Sequence, residues 1–525
     1  MMSSVGWADS RIVGWGLPLG FLLSVNPTIR LSAQCPDGSP PPCPVARAEP
    51  GRKPGVPTNS VAVLYFDNLS PDTADAYLAG GLTDEIITRL GQLERLAVKS
   101  RTAVRRYRGS VEGPAMLGHA LGVAHLVNGT VRRAGNRLRV TVELLRVPSG
   151  DRVWGSSYDR TDADLLAIEE DIASAVAEAI GGRLLPAERV SLHTRPTSDP
   201  RAYGHFLRGN QYLALREQRA AIRAVQEFEA AVALDPRFTR ALARIAFAHA
   251  LFYEWDWDFP GVPPESLVAR GMAASTQALQ RDSLDSDAWL ARGFLLMWRN
   301  PRTVDGARAA LERAVALDPR NAEAHHYYGW LLAWLGEDSA AVVANRQALA
   351  IDPARAISLY NLARLSQVGR RLEDAQRWLD SALIVDPGAY YAYSQRAQVR
   401  LLLGDSGGAR HDAETSLRVS PPAYLYRDEA ILARLDAEAG DTTRARERIG
   451  RLLRNEVSAD HPTILQGWYV GMALVGLGDY QRALDFLERV SPHGGKLWFG
   501  LRMPEFDPIR SDPRFQRLVE ESRPK

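Results

Sequence analysis

Apolar and polar positions change period twice along this chain. Val61 to Phe66 is a short, nearly continuous apolar run with β-branched and aromatic members, the pattern of a buried strand. Leu78, Leu82, Ile86, Leu90 and Leu93 then recur at helical spacing. Ala97 to Val104 reads as a second strand, and Pro114 to Leu121 as a short helix. From His125 the period becomes two. His125–Arg132 and Arg137–Val147 are strand-like, joined through Ala134-Gly135-Asn136. On the second arm Leu138, Val140, Val142 and Leu144 alternate with Arg139, Thr141 and Glu143, so one face is buried and the other wet. Arg152 to Tyr158 adds a strand, and Asp164 to Ile180 an amphipathic helix. Residues 58–186 therefore predict a small α/β domain with a mixed sheet.

Beyond residue 200 the period is helical throughout, and one ending recurs. AVALDP closes at Pro236 and Pro319, ALAIDP at Pro353, ALIVDP at Pro387 and SLRVSP at Pro421. The last four prolines are 34 residues apart. Small residues stand where paired helices must approach: Gly293, Ala307 and Ala314, then Gly329, Ala341 and Ala348, then Ala363, Ala375 and Ala382. Asp-Pro suits the junction, because proline cannot continue a helix but is tolerated in the first turn of the next. This period and these positions resemble the tetratricopeptide repeat, in which each unit is a helix pair that buries its apolar side only by stacking. The expected array covers 201–492 in about eight units, with residues 187–200 as a linker and 493–525 as a terminal cap. One unit carries an insertion, Glu254 to Pro264.

The stretches VAVLYFDNLSPDTADAYLAGGLTDEIITRL and LGVAHLVNGTVRRAGNRLRVTVELLRVPSGDRVWGSSYDR resemble the TolB amino-terminal-like (FlgO-like) domain. That domain commonly precedes tetratricopeptide repeats in bacterial regulators, often behind a winged-helix, kinase or cyclase module. Here the forward position holds a leader and linker, so the resemblance implies an interaction domain and speaks against a transcription-factor or cyclase role.

Residues 1–33 follow the order of an export signal: Arg11, an apolar run from Ile12 to Val25, then Leu31-Ser32-Ala33. A misassigned start or an uncleaved anchor is the competing reading. Residues 34–57 are a Pro-rich linker, within which Cys35 and Cys43, the sole cysteines, are disulfide candidates in an oxidising compartment. Their confinement there excludes a cysteine nucleophile or a Cys-built zinc site in the folded part. Net charge is +2, from 64 basic and 62 acidic residues, which gives no general attraction to nucleic acid or anionic membrane.

No GxGxxG or Walker-type glycine loop follows the first strand. Asp67 reads as a turn residue, and Asp84 and Glu85 as first-turn acids of a helix. An enzyme or nucleotide sensor built on these three acids is the alternative from a different class. By register, His326, Trp330, Trp334, Tyr360, Arg364 and Tyr391 face the concave side of the array and form an aromatic partner-binding groove. Trp255, Trp257 and Phe259 of the insertion form a lip over the groove or a hydrophobic plug. The expectation is a non-enzymatic, cofactor-free scaffold, exported to the periplasm or envelope, that holds protein or peptide partners. A cytoplasmic signalling regulator is the other placement. Contact with a membrane is expected only through the signal or envelope partners.

Overall fold

The computed structural model describes residues 56–72, 75–110, 112–147, 149–255, 257–299, 304–421, 424–455, 464–490 and 495–523. The leader, Cys35 and Cys43 lie outside them. Two strands, β1 (Ser60–Val63) and β2 (Asp67–Asn68), precede α1 (Ala76–Gly91), β3 (Ala97–Val98), α2 (Arg101–Arg105) and α3 (Pro114–Leu121). Three long strands follow, β4 (His125–Ala134), β5 (Arg137–Arg146) and β6 (Arg152–Thr161), then α4 (Leu165–Gly181) and α5 (Pro186–His193). The sheet runs β3-β1-β4-β5-β6, with β2 also on β4. β1 is parallel to β3 and β4, and β4-β5-β6 is an antiparallel meander. The apolar stripe Leu78, Leu82, Ile86 and Leu90 of α1 is buried on this sheet with Ile168, Ile172 and Val176 of α4.

Two local expectations differ. The strand at 97–104 stops at Val98, because Ser100 accepts from the Ala103 N–H and starts α2. The first part of the 187–200 stretch is helical: Pro186 stands in the first turn of α5, and the Leu185 N–H donates to Glu188 at 2.8 Å.

Eight helix pairs follow among the described residues. They are α6 (Pro200–Ala214) with α7 (Gln218–Leu234), α8 (Thr239–Glu254) with α9 (Pro264–Arg281), α10 (Ser286–Arg299) with α11 (Val304–Leu317), and α12 (Ala322–Trp334) with α13 (Asp338–Ile351). Then come α14 (Ala356–Val368) with α15 (Leu372–Val385), α16 (Tyr390–Leu402) with α17 (Ser406–Val419), α18 (Leu425–Glu438) with α19 (Thr442–Asn455), and α20 (Ile464–Gly476) with α21 (Tyr480–Val490). Asp318, Asp352 and Asp386 each end a second helix by donating their N–H four residues back. Gly293 shows why the unit needs small residues, since a Cβ there would meet Leu311 Cγ at 2.6 Å. The fold is a small mixed-sheet α/β unit followed by an all-α tetratricopeptide-type superhelix.

The α/β unit packs on the rim of the array where the inter-repeat turns lie. Ser100 donates to Asp352 at 2.6 Å, and Arg320 reaches the Leu93 and Leu96 carbonyls at 3.5 and 3.4 Å. The apolar cluster around Val104, Leu117 and Leu126 takes in Ala354. The C-terminal segment comprises α22 (Gly495–Leu501), a tight 3-10 stretch (Pro504–Ile509) and α23 (Pro513–Ser522). It does more than cover the last pair. Arg502 donates to Asp338 at 3.1 Å, Arg370 donates to the Arg502 carbonyl at 2.8 Å, and Phe499 packs on Trp330.

Candidate functional site

The residues singled out by register lie on α12, α14 and α16, the first helices of three successive pairs. An open groove at them is not what the structure shows. Trp330 and Trp334 are only 6% and 5% exposed, and His326, Tyr360 and Arg364 are also buried. Tyr391 is half-buried. The physical reason is the C-terminal segment. The Phe499 ring lies 5.4 Å from Trp330, and Glu505 accepts from Gln367 Nε2 at 2.6 Å. This apolar strip is filled by the chain's own residues.

The insertion also turns inward. Trp257 is buried, and Trp257 and Phe259 pack edge-on against Phe252 at 5.8 and 5.2 Å. Trp255 meets Tyr390 at 6.4 Å and Tyr424 at 5.9 Å, while the Tyr424 hydroxyl donates to the Trp255 carbonyl at 2.6 Å. Of the two readings, plug fits this arrangement. It bridges the second pair to the seventh.

Around this filling runs a circuit of rings and guanidiniums. Arg364 lies over Trp330 and Phe499 at 4.7 Å each, Trp468 at 5.1 Å and Tyr360 at 5.5 Å. Tyr360 touches Tyr391 at 5.1 Å, Tyr391 touches Tyr390, and Tyr390 stacks on Tyr424 at 5.3 Å. Arg427 lies 4.9 Å over Tyr424 and 5.6 Å from Tyr469, and Tyr469 stacks on Trp468 at 5.3 Å, which closes the loop. Register pointed to Trp330, Tyr360, Arg364 and Tyr391. It missed Tyr424, Arg427, Trp468, Tyr469 and Phe499. Tyr390 and Tyr424 stand one 34-residue period apart, a signal that could have extended the face. Nothing periodic marks Phe499.

Nearby, Glu323 accepts from Arg216 at 2.8 Å and Arg355 at 3.3 Å, and these cations outweigh burial to hold its carboxyl below the usual range. Burial keeps His326 well below its ordinary pKa, and Ser358 Oγ lies 3.1 Å from its Nδ1. Asp428 accepts from Ser394 at 2.5 Å, and burial pushes its carboxyl up to about 7.

The acids of the α/β unit have structural partners. Asp84 accepts from Tyr65 at 3.0 Å and Arg101 at 3.1 Å. Glu85 takes both arms of Arg240, at 2.9 and 2.6 Å, across the contact with the array. Beside it Tyr203 donates to Glu169 at 2.7 Å, with Arg89 at 3.8 Å. Burial, then the charge of Glu85, raise Glu169 well above the carboxylate range. Asp67 is exposed on β2.

No family model matches the chain. It is similar to a curated protein of Rhizobium meliloti (strain 1021), "Putative adenylate cyclase 3", with 27% identity over 266 residues. That match covers 51% of this chain and 44% of the relative, so the chain spans less than half of that protein's length. Among solved structures, PilW, a type IV pilus biogenesis factor, is 22% identical with a TM-score of 0.34 over 41% of this chain and 93% of its own. A thermophilic tetratricopeptide protein of Thermus thermophilus is 22% identical with a TM-score of 0.33, over 38% and 99%. One from Parabacteroides merdae is 12% identical with a TM-score of 0.34, over 55% and 98%.

Proposed function

We propose that this chain is a non-enzymatic, exported scaffold that holds protein partners, with a TolB-like α/β unit as its recognition module. The observation that carries the reading is the use made of the acids. Asp84 and Glu85, the pair an α/β enzyme would need, are spent on Tyr65, Arg101 and the array's Arg240. The α/β unit therefore acts as a brace for the superhelix. With the inner curve filled, partners meet the outside. An open depression at α5, lined by Leu185, Pro186, Val190, Arg183 and Arg189, offers such a surface. Leu185 and Val190 are 61% and 70% exposed there, beside two cations, a combination suited to an acidic amphipathic segment.

Fractionation of tagged protein tests export; full-length, unprocessed chain in the cytosol overturns it. Leu185→Asp with Val190→Asp removes capture of an envelope partner while the helical circular dichroism stays. Capture that survives this change moves the partner surface elsewhere. The similarity to a cyclase-named protein favours a second reading, a cytoplasmic signalling regulator of the same architecture. Cyclic AMP formed from ATP by the purified chain would establish that reading and end the non-enzymatic one.

A further inference from the structure

The ring circuit contains two arginines with no ion pair among the described residues, although the charge of Arg427 reaches the Asp428 carboxyl. Arg364 and Arg427 are 5% and 8% exposed. Among the described residues neither donates to a carboxylate, a carbonyl or a hydroxyl, and each Nε is sealed and unpaired. Their contacts are ring faces: Trp330, Tyr360, Trp468 and Phe499 for Arg364, and Tyr424, Tyr426 and Tyr469 for Arg427. Elsewhere in this chain a buried guanidinium finds an acid: Arg89 lies 3.8 Å from Glu169, and Arg448 takes Asp436 at 2.8 Å. Leaving a buried charge uncompensated costs several kcal/mol in general, on the order of 3 or more.

The surroundings add donors and no acceptor of matching charge. The phenol oxygens of Tyr360, Tyr390, Tyr391 and Tyr469 have no hydrogen-bond partner among the described residues, yet none is among the atoms sealed from solvent. The same holds for the terminal nitrogens of both arginines. The Trp468 N–H also lacks an acceptor. Glu323, the acid beside this region, is already shared by Arg216 and Arg355. Asp428, next to Arg427, is engaged with Ser394 and Ser420.

We propose that Arg364 and Arg427, with the phenols of Tyr360, Tyr390 and Tyr469, form an internal binding site for a small organic oxyanion. The ligand carries a carboxylate or phosphate group. The planar fork of a guanidinium matches either group through two parallel hydrogen bonds. The stacked pair Trp468–Tyr469, with one arginine against each ring, links the two cations. This goes beyond partner binding, because it places a ligand inside the scaffold while partners use its outer surface.

The test is a titration of the full chain followed by tryptophan fluorescence and by the unfolding midpoint. The probes are benzene-1,3-dicarboxylate, phenyl phosphate and inorganic phosphate, with neutral benzamide and matched sodium chloride as controls. The two organic anions separate the carboxylate source from the phosphate one. At least one of them gives a saturable signal and raises the midpoint, and benzamide gives neither. Arg364→Gln and Arg427→Gln each weaken that binding about tenfold or more, the loss of one charged hydrogen bond. Tyr469→Phe keeps the ring and the fold and weakens it by a smaller factor. The proposal is overturned if none of the three anions gives a saturable signal. It is equally overturned if affinity is unchanged in both arginine variants, or if only an acidic peptide or an oligonucleotide binds.

Discussion

Two buried clusters of arginine and aromatic residues sit in this molecule, and they are built on opposite rules. At the contact of the α/β unit with the array, Arg240 and Arg89 face Glu85 and Glu169, and Tyr203 completes the set. In the second cluster the contacts of Arg364 and Arg427 among the described residues are ring faces, with the Asp428 carboxyl within reach of the Arg427 charge. In the first cluster each arginine has a glutamate within 3.8 Å, so the cluster joins two parts of the fold. In the second, among the described residues, neither arginine donates to a carboxylate. The lesson is that a guanidinium in this chain is held in one of two ways, by a carboxyl group or by ring faces.

The comparison breaks most forcefully at Arg240. Arg240→Ala leaves Glu85 buried without its partner and costs about 4 kcal/mol. That appears as an earlier first transition in urea; a shift under 1 kcal/mol would remove the brace role. Phe499→Ala tests the other cluster from the C-terminal side. The ring is fully buried against Trp330 and Arg364, so its loss costs about 3 kcal/mol and exposes indole fluorescence to quencher.

Asp428 sharpens the contrast through pH. Burial raises its folded pKa to about 7, above the unfolded value. The folded state then holds the proton longer, and stability falls as pH rises from about 4 to about 7, by at most about 1.4 kcal/mol per unit. Below that window both states are protonated and the effect vanishes. Asp428→Asn flattens this part of the stability curve, and an unchanged slope assigns the pH dependence to another group. The smallest effect is expected at Arg364. Arg364→Leu removes a buried charge and, with it, the attraction of four ring faces that offsets the cost of burying that charge, so chemical denaturation shifts by under about 1 kcal/mol in either direction. A loss comparable to that at Arg240 would show that Arg364 is structural.

Much of the architecture was legible in the residues. The 34-step Asp-Pro endings and the small residues at Gly293, Gly329 and Ala363 implied stacked helix pairs, because close helix approach excludes large side chains. The period-two run from Leu138 to Leu144 implied a strand with one wet face. The site was legible only by half. Register put Trp330, Tyr360, Arg364 and Tyr391 on an open partner-binding groove; the structure gathers them in one ring cluster and buries the first three. The strand expected at 97–104 was lost to a capping serine, a side-chain effect that propensity does not weigh.

The chain's own order of apolar and polar residues thus decides each helix pair, its spacing and the face it turns inward, since those follow from periodicity within a few turns. Whether the inner curve stays open is decided by contacts such as Tyr424 with Trp255, 169 residues apart, and Phe499 with Trp330. So is the pairing of Glu85 with Arg240, 155 residues apart. Such partners leave no periodic trace. Only the packing of the superhelix on its insertion and C-terminal segment brings them within reach.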